Sequence, residues 1–171
     1  WKKLEELCDK IFHPITGTPM DELFTRYMYF VRAKMGITSS TTEALRKFYE
    51  KNGYGLLKSE ETFADLNTLA EFWEDVSNQD AHRFSADVLK RLFVLNYAPN
   101  GMWTYFVSVY FMQRKDATGM LDDTEFCAFL HKITGFIWAY AVSNPGVNAL
   151  RTPVYAEMVN IVNNRPVEFA K

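Results

Sequence analysis

The sequence predicts an all-α protein, a single compact domain of about eight helices around a central aromatic helix. Apolar residues recur at three- and four-residue spacing in every long periodic segment. Most of those segments carry a helix start or stop residue. Neither a convincing strand pattern nor an internal repeat interrupts them.

The opening segment, WKKLEELCDKIF, brings Leu4, Leu7, Cys8 and Ile11 to one face. Pro19 and Asp21 open a second helix carrying Leu23, Phe24, Tyr27, Met28, Val31 and Met35, which stops at Gly36. Thr42 is placed to cap a short third helix with Leu45, Phe48 and Tyr49, closed by Asn52 and Gly53. Thr62 with Asp65 resembles a capping box ahead of Phe63, Leu66, Leu69, Ala70, Trp73 and Val76. Ser85 starts the next helix, with Val88, Leu89, Leu92 and Phe93 inward.

The most apolar stretch is LNYAPNGMWTYFVSVYF, Leu95 to Phe111. Pro99 cannot continue the preceding helix, and Asn100 is a strong N-cap for a new one. Trp103, Phe106, Val107, Tyr110 and Phe111 then share a broad face. FVSVYF is also rich in β-formers, but strict alternation fails and the segment is long. Thr104 and Ser108, four apart, form one narrow polar line. A helix apolar nearly all round is usually buried, so this is the expected centre of the domain. The run from Met102 to Met112 is far short of the ~20 residues that cross a bilayer. Asp122 with Glu125 starts a helix through Phe126, Phe129, Leu130, Ile133, Ile137, Trp138 and Ala141, ended by Asn144, Pro145 and Gly146. Thr152 is expected to cap the last helix, with Pro153 in its first turn and Val154, Met158, Ile161 and Val162 following. Trp73, Trp103, Phe106, Tyr110, Phe129 and Trp138 are the expected core rings.

The 171 residues are 48% hydrophobic and 16% aromatic, enough for one sizeable ring-rich core. A net charge of -2 argues against a dedicated nucleic-acid module. Two cysteines, Cys8 and Cys127, are too few for a disulfide framework, which points to reduced thiols and a cytoplasmic setting. The chain enters at Trp1 directly on a helical pattern and ends on NNRPVEFAK without a closing signal, the texture of a domain cut from a longer chain.

Chemistry is hard to place. His13, His82 and His131 lack metal-binding spacing with a cysteine. Cys127 falls near an apolar face, and Cys8 sits among Glu5, Glu6 and Asp9, the wrong field for a reactive thiol. Asp122, Asp123 and Glu125 read as helix-start carboxylates. KNGYG lacks the Lys-Ser/Thr of a phosphate loop. No catalytic residue, metal or cofactor is expected. Basic pairs (Arg32 and Lys34, Arg46 and Lys47, Lys90 and Arg91, Arg114 and Lys115) read as solvated helix edges. Arg114 and Lys115 close the aromatic helix, where cations complement the dipole and could meet phosphate, and are the candidate nucleic-acid contact.

FTRYMYFVRAKMGITSSTTEALRKFYEKNG, ETFADLNTLAEFWEDV and KRLFVLNYAPNGMWTYFVSVYF together resemble the helical middle region of the GmrSD-like, modification-dependent restriction endonucleases, over about Phe24 to Ile161. The resemblance implies a parent with an N-terminal ParB-like, nucleotide-dependent domain bearing Asp-Gly-Gln-Gln-Arg and a C-terminal HNH nuclease that cuts DNA. Neither motif is present: Gln113-Arg114 is not preceded by Asp-Gly, and no histidine sits in an HNH-like setting. After Trp138 the chain departs from the family's Arg-rich helix end. The implied role is a non-catalytic connector positioning those two domains, with the flanking domains and, through the parent, DNA as partners and no membrane. The alternative is a free-standing helical domain that binds a small molecule or a partner protein.

Overall fold

The computed structural model describes residues 1–143 and 147–169. Among them are eight α-helices and no strand: α1 (Lys2–Ile11), α2 (Pro19–Lys34), α3 (Leu45–Tyr54), α4 (Glu60–Ser77), α5 (Ala86–Leu95), α6 (Met102–Arg114), α7 (Asp123–Ser143) and α8 (Val147–Val162). The all-α expectation holds, with two helices rather than one at the centre. In α6, Phe106 through Met112 are all buried, and in α2 every residue from Arg26 to Ala33 is. The two pack on each other and on α8, while α1 and α4 close the α2 side.

Stacked rings join the layers. Tyr110 of α6 stacks on Phe129 of α7 at 4.1 Å between centroids, and Phe111 stacks on Phe72 of α4 at 4.1 Å. Trp73 meets Trp103 edge-on at 5.9 Å. Five of the six expected core rings are buried; Trp138 is 38% exposed. Leu130, Ile133 and Ile137 define the buried face of α7, and Trp138, one residue past Ile137, is turned about 100° away from it. The same rotation places Phe93, next to buried Leu92, outside.

Several helix starts differ from the sequence reading. α2 begins with a full capping box between Thr18 and Asp21, with Pro19 at its first position. The cap of α4 is Ser59, whose Oγ accepts from the Thr62 N–H at 3.3 Å, and Asp65 instead accepts from the Tyr27 hydroxyl at 2.8 Å. Thr42 caps nothing. Arg32 donates to the carbonyls of Ser39 and Thr41 and to Glu43, holding this segment out of helix until Leu45. Arg32 is therefore buried, not the solvated edge its pairing with Lys34 implied. Thr152 and Pro153 lie inside α8, because Leu150 and Val154 are both buried on one face and the helix runs through them. Thr152 Oγ1 instead meets Ser40 Oγ at 3.0 Å.

Other expectations hold. Ser85 and Asp122 cap α5 and α7 by accepting from Val88 and Glu125 N–H. Asn100, expected as the cap of α6, lies one residue too early: the N-cap is Gly101, and Asn100 Oδ1 accepts from the Met102 N–H at 2.9 Å from just outside the helix. Asn52 and Gly53 turn the end of α3 with φ of 53° and 60°. Asn144, Pro145 and Gly146, expected to end α7, lie outside the described residues.

The polar line on α6 is half structural. Ser108 is fully buried; its hydroxyl accepts from Trp73 Nε1 at 2.9 Å and donates to the Thr104 carbonyl at 2.7 Å. Thr104 bonds only within its own turn, to the Gly101 carbonyl. Ser108→Ala strands a buried indole N–H and should cost ~1–3 kcal/mol, whereas Thr104→Ala should stay within ~0.5 kcal/mol. Denaturant melts of the two variants check this; equal losses would contradict it.

Candidate functional site

Two regions of the fold are built unlike a simple core. The first centres on Arg26. The i,i+4 spacing from Glu22 sets both side chains on the face of α2 that meets α1, α4 and α6. There the Arg26 guanidinium lies between two aromatic faces, 4.4 Å from the Phe12 ring centroid and 4.4 Å from that of Trp73. Its nearest counter-charge is Glu22 Oε2, at 3.5 Å, and its enclosed Nε has no hydrogen-bond partner. Burial, partly offset by Glu22, pulls its pKa down to about 10, so it stays cationic at neutral pH.

Two cavities open against this guanidinium. One, of about 430 Å³, is lined by Glu22, His13, Gly101 and Tyr105 among others. The second, of about 280 Å³, reaches Trp73, Asn96 and Trp103. Ile11, Phe12, Arg26 and Thr104 line both. Burial, reinforced by Glu22 and countered by Arg26, pushes the Tyr105 hydroxyl up to about 12, so it is a neutral donor. Cys8 is buried nearby, its thiol raised to about 11 by burial and by Asp9, which makes it an inert core group.

The second region is the pairing of α5 with α7. The helices start side by side, where the Ser85 N–H donates to Asp123 Oδ1 at 3.0 Å. Further along, Arg91 Nε donates to Cys127 Sγ at 3.2 Å and Arg91 Nη1 to His131 Nδ1 at 2.8 Å. The two helices thus run in the same direction, and α7 continues past the end of α5. Phe93 and Val94 of α5 and Tyr97 just after it are exposed, with Phe93 and Tyr97 edge-on at 5.4 Å, and Trp138 and Val142 are exposed further along α7, Val142 by 87%. α7 is long and apolar enough to cross a membrane by length and composition, but Phe126, Phe129, Leu130, Ile133 and Ile137 are committed to the core.

A further apolar cavity of about 580 Å³ lies among Phe24, Leu45, Tyr49, Tyr54 and Leu57. Its two charged groups are already engaged: Asp21 caps α2, and Arg46 pairs with Glu50 at 2.7 Å.

The other sequence candidates are scattered. Arg114 is exposed and Lys115 half-exposed, and neither makes an ion pair among the described residues. Glu125, Arg114 and Asp122 all act on the Tyr110 hydroxyl, so carboxylates of α7 share the Arg114 neighbourhood. His82 sits in the loop before α5. His131 is on the exposed edge of α7, as expected, but bonded to Arg91. Cys127 is half-buried and accepts a hydrogen bond, more than the apolar filler expected of it. His13 alone among the histidines lines an Arg26 cavity, the larger one. Sequence reading missed Arg26; the available signal was Glu22 four residues before an arginine in the ring-rich run FTRYMYF.

No protein-family model, curated protein or solved structure matches this chain.

Proposed function

We propose that the chain is a non-catalytic helical connector that holds other domains in fixed geometry within a DNA-targeting defence nuclease of the kind its sequence resembles. The observation that carries the connector reading is the apolar surface left exposed along α5 and α7. Phe93 and Tyr97 meet edge-on at the end of α5, and Trp138 and Val142 follow on the extension of α7, all of them partly or largely open to solvent. Grouped apolar side chains of this kind mark a docking surface. The body beneath is well suited to transmit position, since α7 is tied to α6 by stacked rings and to α5 by Arg91. The DNA context rests on the resemblance alone, which supplies the ParB-like and HNH domains as the bodies to be held.

The test uses the chain with its encoded flanking segments. Tyr97→Lys with Val142→Lys should leave the helical melt within ~0.5 kcal/mol of the parent, because both side chains are already exposed. The same pair should loosen the attachment of flanking domains, read as new protease cutting at the junctions. Unchanged protection at the junctions would overturn the docking role.

The chain alone should neither cleave modified or unmodified DNA with magnesium nor hydrolyse nucleoside triphosphates. Turnover that survives repurification and is lost in a point variant would overturn the non-catalytic reading. DNA binding through Arg114 and Lys115 should be weak and fall steeply with salt. Arg114→Glu with Lys115→Glu should abolish it while the fold is retained; unchanged anisotropy of a labelled duplex would remove these residues from any DNA path.

A further inference from the structure

The chain's other enclosed arginines are better partnered at their terminal nitrogens. Arg32 spends both on Glu43 Oε2 at 2.6 Å and on the carbonyls of Ser39 and Thr41 at 2.8 and 3.0 Å, although its Nε, like that of Arg26, has no partner. Arg83 donates to Asp75 Oδ2 at 2.6 Å and to the Gly119 carbonyl at 2.5 Å. Arg26 is only 8% exposed, yet its guanidinium has no polar contact closer than Glu22 at 3.5 Å. An Nε–H enclosed without an acceptor is costly to the fold. The cation–π faces of Phe12 and Trp73 offset the charge but accept no hydrogen bond in the guanidinium plane.

We propose that the Arg26 groove binds a small organic oxyanion, specifically a carboxylate carried on an aromatic or apolar body. Arg26 supplies the cation and a planar donor fork whose one protein acceptor is Glu22, at 3.5 Å, and such a fork matches the two oxygens of a carboxylate. The start of α6 faces the same cavity through Gly101, adding the positive end of a 13-residue helix. The Tyr105 hydroxyl, kept protonated by burial, is a further donor on the wall. Ile11 and Phe12 line both cavities and Trp103 the smaller one, giving the body of the ligand apolar surface on either side of the anchor. The larger space is of the size that small ligands occupy. Glu22 sets the charge preference: its carboxylate beside Arg26 penalises a second negative charge, so a monoanion is favoured over a phosphate dianion. The site is independent of the connector role.

The test is nuclear magnetic resonance of the arginine side-chain N–H groups in the labelled chain, titrated in parallel with benzoate and inorganic phosphate. Benzoate should shift the Arg26 Nε–H resonance saturably and bind more tightly than phosphate. Glu22→Gln, by removing the competing carboxylate, should tighten benzoate about tenfold. Arg26→Lys should weaken it about tenfold or more, because an ammonium lacks the planar fork. Should Arg26→Lys not fold, Thr104→Leu decides, since it fills the space common to both cavities without touching the charge, and it should block binding while the helical melt persists. The proposal is overturned by the absence of a saturable shift at millimolar benzoate, which leaves water as the occupant. It is also overturned by tighter phosphate than benzoate, by weaker binding in Glu22→Gln, or by undiminished binding in Thr104→Leu.

Discussion

Trp103→Ala is expected to cost ~3–5 kcal/mol, the range for truncating a fully packed ring. Domains of this kind are stable by only ~5–15 kcal/mol, so the variant should melt far below the parent or fail to accumulate in soluble form. Trp103 is 5% exposed and stands edge-on to Trp73. Trp73 in turn carries the cation–π contact to Arg26 and the hydrogen bond to Ser108, so the cavity left by Trp103 loosens the shared seat of α2, α4 and α6. For that reason Trp73→Ala and Trp103→Ala should cost less together than the sum of the two single losses. Thermal and denaturant melts of the three variants measure this directly. A Trp103→Ala chain that melts like the parent would show that the ring lines the neighbouring cavity without supporting the fold.

The fold was legible because its periodicity is strong. Leu4 and Cys8, Leu66 with Leu69 and Trp73, and Ile133 with Ile137 are all buried at the spacings that marked them as helix faces. Helix starts were less legible because capping chemistry is degenerate. Ser59 and Thr62 are both competent caps, three residues apart, and only the use of Asp65 by Tyr27 and the turn after Lys58 decides between them. At Thr42 a long-range effect wins: buried Arg32, ten residues upstream, ties down the Ser39 and Thr41 carbonyls and the Glu43 carboxylate, and the helix begins only at Leu45. At Thr152 the local Thr-Pro signal is overridden by the burial of Leu150 on the same face as Val154.

The candidate site was scarcely legible, and the reason is electrostatic. A sequence shows that Arg26, Arg32, Arg46 and Arg114 are charged, and the default places each of them in water. Which of them is desolvated depends on how many sides of its helix are covered. α2 is covered almost all round in its second half, so Arg26 and Arg32 are enclosed, while Arg46 on the peripheral α3 is free to pair in solvent. Trp138 and Phe93 show the converse. Helical spacing placed their large rings inward, yet each falls one residue beyond the buried face of its helix and is left partly exposed.

Raising the pH from 10 to 12 is expected to unfold the protein cooperatively, and the sign follows from its buried tyrosines. Burial raises the hydroxyls of Tyr27, Tyr29, Tyr49, Tyr105, Tyr110 and Tyr155 above the ordinary value of 10, Tyr105 and Tyr110 to about 12. Cys8 is raised in the same direction, to about 11. For each of these groups the unfolded chain releases its proton at a lower pH than the folded chain does. Above the unfolded value the folded state therefore holds more protons, and stability falls as pH rises, by up to ~1.4 kcal/mol per pH unit per group. Below that value the contribution is fully present. Arg26 works the other way. Its pKa is lowered from 12.5 to about 10, so it gives up its proton sooner in the folded state and adds stability across that interval. One arginine does not balance six tyrosines and a thiol, so stability falls steeply between pH 10 and 12 and a reserve at the lower end of ~5–15 kcal/mol is exhausted there. Tyrosinate absorbance and far-ultraviolet circular dichroism, followed together, should show most of the tyrosinate signal appearing with the loss of helix. Tyr110→Phe, which removes one raised hydroxyl while keeping the stacked ring, should move the midpoint to higher pH. Full ionisation of the tyrosines with the helices intact would contradict the burial on which this prediction depends.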